Sequence, residues 1–175
     1  DMVSAIKPNT KVVYGETIGN PTMKVLDIAV VSDIAHSFGI PLMVDNTFPT
    51  PYICRPFEWG ADIIVHSLTK YIGGHGTIIG GIIVDSNNFD WVANKERFKR
   101  LNEPDVSYHG VVYTETGLPP YILRARVVPL RNMGAALAPM NTFLALQGLE
   151  TLPLRMERIC DNTLTVAQHL EAQDQ

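Results

Sequence analysis

Two groups of residues in this 175-residue chain have types and spacing suited to chemistry. The first is Asp45, followed by Asn46 and Thr47, directly after the apolar run Leu42-Met43-Val44. The second is Ser67-Leu68-Thr69-Lys70, just after the apolar run Ile63-Ile64-Val65. A lysine amine condenses with an aldehyde, and a carboxylate beside an aromatic ring nitrogen keeps that nitrogen protonated. Hydroxyls and backbone N–H groups near the lysine can hold a phosphate. Together these are the parts that pyridoxal phosphate (PLP) chemistry needs, with Lys70 as the Schiff-base amine and Asp45 as the partner of the ring nitrogen.

Taken singly, each group has a plainer reading. An Asp at a strand end is more often a cap or turn residue. A Ser-x-Thr-Lys is more often an ordinary loop. The conjunction carries the argument. In open α/β sheets, ligands bind beyond the carboxyl ends of the strands. Lys70 follows Asp45 by 25 positions, enough for a loop, a short helix and a return strand.

The surrounding elements fit that placement. Lys11 to Tyr14 reads as a short strand, and the Gly, Asn and Pro of residues 15–22 as a loop. Lys24 to Phe38 has apolar residues near a 3.6 period and stops at Gly39, so a helix is expected. Strands are expected at Leu42–Val44 and Asp62–Val65, the latter apolar enough to be buried on both faces, as in parallel sheets. A Gly- and hydroxyl-rich loop over 67–76 leads to a strand at Gly80–Val84. Phe89 to Leu101 reads as an exposed helix and 104–120 as irregular. Helices are expected near 121–131, 135–148 and 153–173. Alternation early and helices late predict an α/β fold with a mostly parallel sheet and flanking helices.

Composition narrows the function classes. Hydrophobic residues are 46% and charged residues 18%, which suits a piece that buries one face against a larger body. The net charge is -4 and no basic cluster stands out, so nucleic acid is not an expected partner. No apolar run reaches the ~18 residues of a membrane span. Cys54 and Cys160 form neither a disulfide framework nor a metal motif, and a cytoplasmic setting is expected. The histidines lack the paired spacing of a metal-binding helix. The glycines at 73, 74, 76, 80 and 81 lack the third glycine of a nucleotide loop, and are read as strand-end turns or as backbone freedom near a bound ring. The charges over 95–100 read as a solvated face.

Val44-Asp45-Asn46-Thr47 and the stretch from Gly60 through Lys70 to His75 closely resemble the Cys/Met-metabolism family of PLP enzymes. The resemblance extends to Glu16-Thr17-Ile18-Gly19-Asn20-Pro21, to Arg131–Leu137 and to Gln147–Met156, and so covers the whole chain. Gly74-His75-Gly76-Thr77 and Glu103 to Gly110 resemble the O-acetylhomoserine sulfhydrylase branch rather than the cystathionine-type branches, which usually carry Ser-Asp after Gly-His. Ala138 stands where the family often has Ser.

This resemblance implies a PLP-dependent transferase-like large domain of the aminotransferase type over residues 1–150, incomplete here. Residues 151–175 would then be a helix leading toward a C-terminal domain. It implies that Lys70 holds the cofactor and shuttles protons, Asp45 pairs with the ring nitrogen, Ser67 and Thr69 bind phosphate, Asn20 bonds the ring oxygen, and Thr47 supports Asp45 or the ring. It implies γ-replacement: O-acetyl-L-homoserine and sulfide give L-homocysteine and acetate. Cystathionine γ-synthase activity, γ-lyase-type elimination, or a folded piece without catalysis are the alternatives. The family's typical assembly is a homotetramer built as a dimer of dimers. Other site residues of the family are implied to lie outside this chain: a phosphate-cradling turn, a stacked aromatic, a Tyr and Arg donated across a dimer, and a substrate-clamping Arg.

Overall fold

The computed structural model describes residues 2–173. Four strands form one sheet in the order β1 (Val13–Glu16), β2 (Leu42–Asp45), β3 (Ile63–Ser67) and β4 (Gly81–Asp85). The first three are parallel, with Glu16 opposite Asp45 and Asp45 opposite Val65. The fourth runs antiparallel, with Ser67 opposite Gly81. The expected α/β architecture with a mostly parallel sheet and flanking helices is therefore present. β4 departs from parallel because residues 68–80 fold into a tight turn instead of the crossover that a parallel partner requires.

Chain order gives the helices as α1 (Met2–Ala5), α2 (Ile28–Ser37), α3 (Thr50–Ile53), α4 (Lys99–Asn102), α5 (Pro120–Ala125), α6 (Arg131–Met133), α7 (Pro139–Glu150) and α8 (Leu152–Glu171). A π-type segment, Arg126–Leu130, joins α5 to α6 and contains Pro129, whose missing N–H breaks the regular ladder. α2 covers one face of the sheet. Its Ile28 and Ala35 pack with Leu42, Val44 and Ala61. The period of two along β2 turns Met43 to the opposite face, where Ile63, Trp91, Leu101 and Tyr113 form a second cluster.

Two expected helices are corrected. Residues 24–27 are not helical, because Leu26 N bonds Thr17 O and Val25 bridges Ile18, which ties this stretch to the preceding loop. α2 instead starts after Asp27, whose carboxylate accepts from Val30 N at 3.2 Å, an N-cap. It stops where Gly39 adopts φ +62°, a conformation a side chain would resist and where a Cβ would strike Asn94.

The exposed helix expected over Phe89–Leu101 is mostly turns, helical only at its end. The Asp90 carboxylate accepts from Val92 N and Ala93 N, closing a local turn. Phe89, Trp91 and Phe98 meet edge-to-face at centroid separations of 4.7–5.7 Å, and Trp91 stacks on Tyr121. Burying these rings outweighs the helical propensity of the charged residues between them.

Candidate active site

The carboxyl ends of β1, β2 and β3 open into one cleft of about 500 Å³, lined by Glu16, Ile18, Asn20, Asp45, Thr47, Phe48, Ser67, Lys70 and Tyr71. Parallel pairing produces this. It places Glu16, Asp45 and the end of β3 at the same edge of the sheet, so the loops that leave the strands converge. Five of the six residues singled out from the sequence, Asn20, Asp45, Thr47, Ser67 and Lys70, line the cleft.

Asp45 is half-buried and held at both oxygens. Thr47 N donates to Oδ1 at 2.8 Å, and the Tyr14 hydroxyl donates to Oδ2 at 3.3 Å. Among the described residues it forms no ion pair. Its neighbour Asn46 is fully buried: Thr17 Oγ1 donates to Asn46 Oδ1 at 2.8 Å, and Asn46 Nδ2 donates to Cys54 O at 2.8 Å. His66 Nδ1 donates to Asn46 O at 3.1 Å, which fixes the neutral tautomer with its proton on Nδ1. Burial pushes the His66 imidazole below its usual range, against the opposing pull of that hydrogen bond and of the Asp45 charge. These buried contacts fix the backbone from which Asp45 projects.

Lys70 sits in the segment Leu68–Ile72, a π-type turn in which Lys70 itself leaves helical geometry at φ −90° and ψ −130°. Gly73 N closes the turn on Leu68 O and Gly74 N closes it on Lys70 O. Its side chain is exposed to the cleft. Ser67 precedes the turn, and its N–H donates to Thr47 Oγ1 at 2.7 Å, which couples the two motifs directly. Thr69 is placed differently. Its hydroxyl accepts from Gly80 N at 3.0 Å and reaches Gly80 O at 3.3 Å, so it clamps the turn to the start of β4, outside the residues lining the cleft.

At the mouth, Asn20 N donates to Glu16 Oε2 at 2.9 Å, which orders the Asn20 loop. Phe48 and Tyr71 meet edge-to-face at 5.8 Å and form an aromatic wall. Sequence reasoning did not single out Tyr14, Phe48 or Tyr71 for the site, nor the supporting role of Asn46. Tyr14 belongs to an alternating strand and carried no separate signal. A polar Asn directly after an apolar strand was the available hint for Asn46.

The donor set fits PLP. A carboxylate facing the cleft without a cationic partner among the described residues suits a protonated ring nitrogen, and an amine and hydroxyls share the cavity. No group of three or more His, Cys, Asp or Glu among the described residues is placed to hold a metal. No described helix is long and apolar enough to cross a membrane.

The solved structure of a Campylobacter jejuni O-acetylhomoserine (thiol)-lyase, which contains pyridoxyl-lysine monophosphate, superposes with a TM-score of 0.95 at 40% identity, over 98% of this chain and 42% of that one. Homocysteine synthase of Schizosaccharomyces pombe is 52% identical over 173 residues, 98% of this chain. O-acetyl-L-homoserine sulfhydrylase of Leptospira meyeri is 50% identical over 176 residues, 95% of this chain. The chain spans about 40% of the length of the curated relatives it matches. The family model described as Cys/Met metabolism PLP-dependent enzyme matches residues 1–175, and with these similarities it establishes that the chain belongs to that family.

Proposed function

We propose that the protein containing this chain binds PLP in the Asp45–Lys70 cleft and makes L-homocysteine and acetate from O-acetyl-L-homoserine and sulfide. The observation that carries this reading is the convergence of Asp45, Thr47, Ser67 and Lys70 on one cleft. About half of the residues are identical to enzymes named for this reaction. PLP, when bound, supplies an electron sink for charge developing on the substrate's α carbon.

Each residue has a stated task. Lys70 Nζ would hold the cofactor covalently and, once the substrate's amine has displaced it, would be free to take the proton from the substrate's α carbon and later from its β carbon. Asp45 neutralises the protonated ring nitrogen. Thr47 N–H and the Tyr14 hydroxyl fix the carboxylate's orientation. Ser67 would bond the phosphate from the cleft wall, while Thr69, whose hydroxyl is engaged by Gly80, braces the turn that carries Lys70. Asn20 bonds the ring oxygen from a loop ordered by Glu16.

Residues 1–150 belong on this reading to the PLP-binding domain, and 151–175 lead toward a further domain. The protein works in the cytoplasm as a homotetramer. Support for a large contact surface comes from apolar residues that are well exposed in this chain, among them Ile83 on β4, Phe143 on α7 and Leu154 on α8.

The test uses the full-length protein. Borohydride reduction with PLP, followed by peptide mass spectrometry, is expected to mark Lys70. Acetylated homoserine with sulfide is expected to give homocysteine and acetate. Labelling elsewhere removes the cofactor assignment. Elimination products in place of homocysteine assign the protein to a lyase-type reaction of the same family.

A further inference from the structure

Arg155 lies on α8, 85 positions after Lys70 in sequence, yet it grips the turn that carries Lys70. Its Nη1 donates to Tyr71 O at 2.7 Å, and its Nη2 reaches Ile72 O at 3.4 Å. The same Nη2 donates to Gly148 O at 2.7 Å, near the end of α7, and Nε donates to Thr151 Oγ1 at 3.0 Å. The guanidinium is half-buried and packed over the Gly74 backbone, where even a Cβ would collide with it.

The neighbourhood explains why the grip is tight. Leu152 and Met156, on the same side of α8 as Arg155, pack with Ile72. At Gly148 a side chain has no room, because a Cβ there would collide with the Ile72 and Gly73 carbonyls. Carbonyl oxygens at the end of a helical turn carry partial negative charge, and a planar, permanently charged fork suits several of them at once. None of the four acceptors is a carboxylate, so the charge of Arg155 is used entirely on backbone and hydroxyl oxygens.

The geometry points to Arg155 as a positioning residue for Lys70, holding the Leu68–Ile72 turn so that the amine is presented to the cleft. This rests on the reading that Lys70 holds PLP. Arg155 acts through the Tyr71 and Ile72 carbonyls, one and two residues beyond Lys70, and does not line the cleft itself. Its loss leaves the turn free to relax, and the amine is then presented in a range of orientations.

The test compares full-length wild type with Arg155→Ala and Arg155→Lys. The readouts are the PLP dissociation constant, the circular dichroism of the cofactor's visible band, the pH at which that band changes, and borohydride labelling at Lys70. Arg155→Ala is expected to weaken PLP binding about tenfold or more, the scale of one or two charge-assisted hydrogen bonds. It is also expected to shift the pH response of the band and to lower the yield of labelled Lys70. Arg155→Lys, which brings a compact ammonium in place of the fork, is expected to fall between the two.

A folded Arg155→Ala with unchanged affinity and an unchanged pH response overturns the inference. A merely structural role lowers the melting temperature and leaves both unmoved. Should Arg155→Ala not fold, Arg155→Lys decides by the same two readouts. Wild-type protein labelled at a lysine other than Lys70 overturns the underlying cofactor assignment instead, so the two failures are distinct.

Discussion

The Tyr14 hydroxyl donates to Asp45 Oδ2 at 3.3 Å, from the strand next to the one that carries the carboxylate. The same carboxylate is the proposed partner of the cofactor's ring nitrogen, so Tyr14 at Oδ2 and Thr47 N–H at Oδ1 together orient it. Burial, then the Asp45 charge and the hydrogen bond, push the Tyr14 phenol above its usual value of 10.0. A raised value means that the folded state favours the protonated phenol. The contribution is full below pH 10 and is lost as pH rises through the folded value, when a phenolate would face Asp45. PLP titrations from neutral to alkaline pH are expected to show weakening above pH 10 in wild type, and less of it in Tyr14→Phe.

Removing the amine removes the reaction. Lys70→Ala is expected to lower kcat by roughly 10²–10⁴-fold or more, because no other amine among the described residues lines the cleft to move the α proton. Asp45→Asn keeps the shape and loses the charge. It is expected to weaken PLP by about 1.5–3 kcal/mol, the scale of a hydrogen bond to a charged group. Equilibrium titration and steady-state rates check both, and an Asp45→Asn protein that binds PLP as wild type does would remove Asp45 from its assigned role.

Gly148 is a packing position read from the Lys70 turn. A Cβ there would lie 2.5 Å from Ile72 O and collide with Gly73 O. Gly148→Ala is therefore expected to cost about 1–3 kcal/mol, as overpacking usually does, and to reduce cofactor affinity because the displaced element carries Lys70. Urea unfolding with and without PLP measures the two effects separately.

His66 makes an acid-side prediction. Burial holds its value below 6.5 in the folded protein, so the unfolded chain takes up the proton first. The associated stability is present above pH 6.5 and is lost as pH falls through the folded value. His66→Gln is expected to unfold with a flatter pH dependence below 6.5, read by thermal melts over a pH series.

Tyr113 is fully buried and donates to Asp105 Oδ2 at 2.9 Å, beside Arg124. Burial first, and then Asp105, push its phenol up to about 12. Its contribution is present below pH 10 and is lost as pH rises toward 12. Tyr113→Phe is expected to cost about 1–3 kcal/mol at neutral pH by leaving a buried acceptor without one partner. Equilibrium unfolding at pH 7 and across the alkaline range is the check.

The residue types of the site were legible from the sequence because strand ends are marked by short apolar runs. Asp45 and the Ser67–Lys70 group each follow such a run, and parallel pairing then leaves them at one edge. α7 and α8 were legible for a similar reason: long segments with few breakers form helices wherever they pack. The errors fall where a tertiary contact overrode local preference. Residues 24–27 pair back onto the 17–18 loop. Phe89–Phe98 gives up helix to bury aromatic rings.

By itself the sequence determined the chemical inventory, an amine and a carboxylate with hydroxyls at spacings that a parallel sheet can bring together. Only the tertiary structure decided how they are held. It placed Tyr14 on Asp45 and coupled Thr47 to Ser67. It turned the Thr69 hydroxyl toward Gly80, and it set Arg155 on the carbonyls behind Lys70. The physical reason is that spacing along a chain constrains which groups can meet. Orientation depends on hydrogen bonds between segments far apart in sequence, and those partners exist only once the sheet and helices have packed.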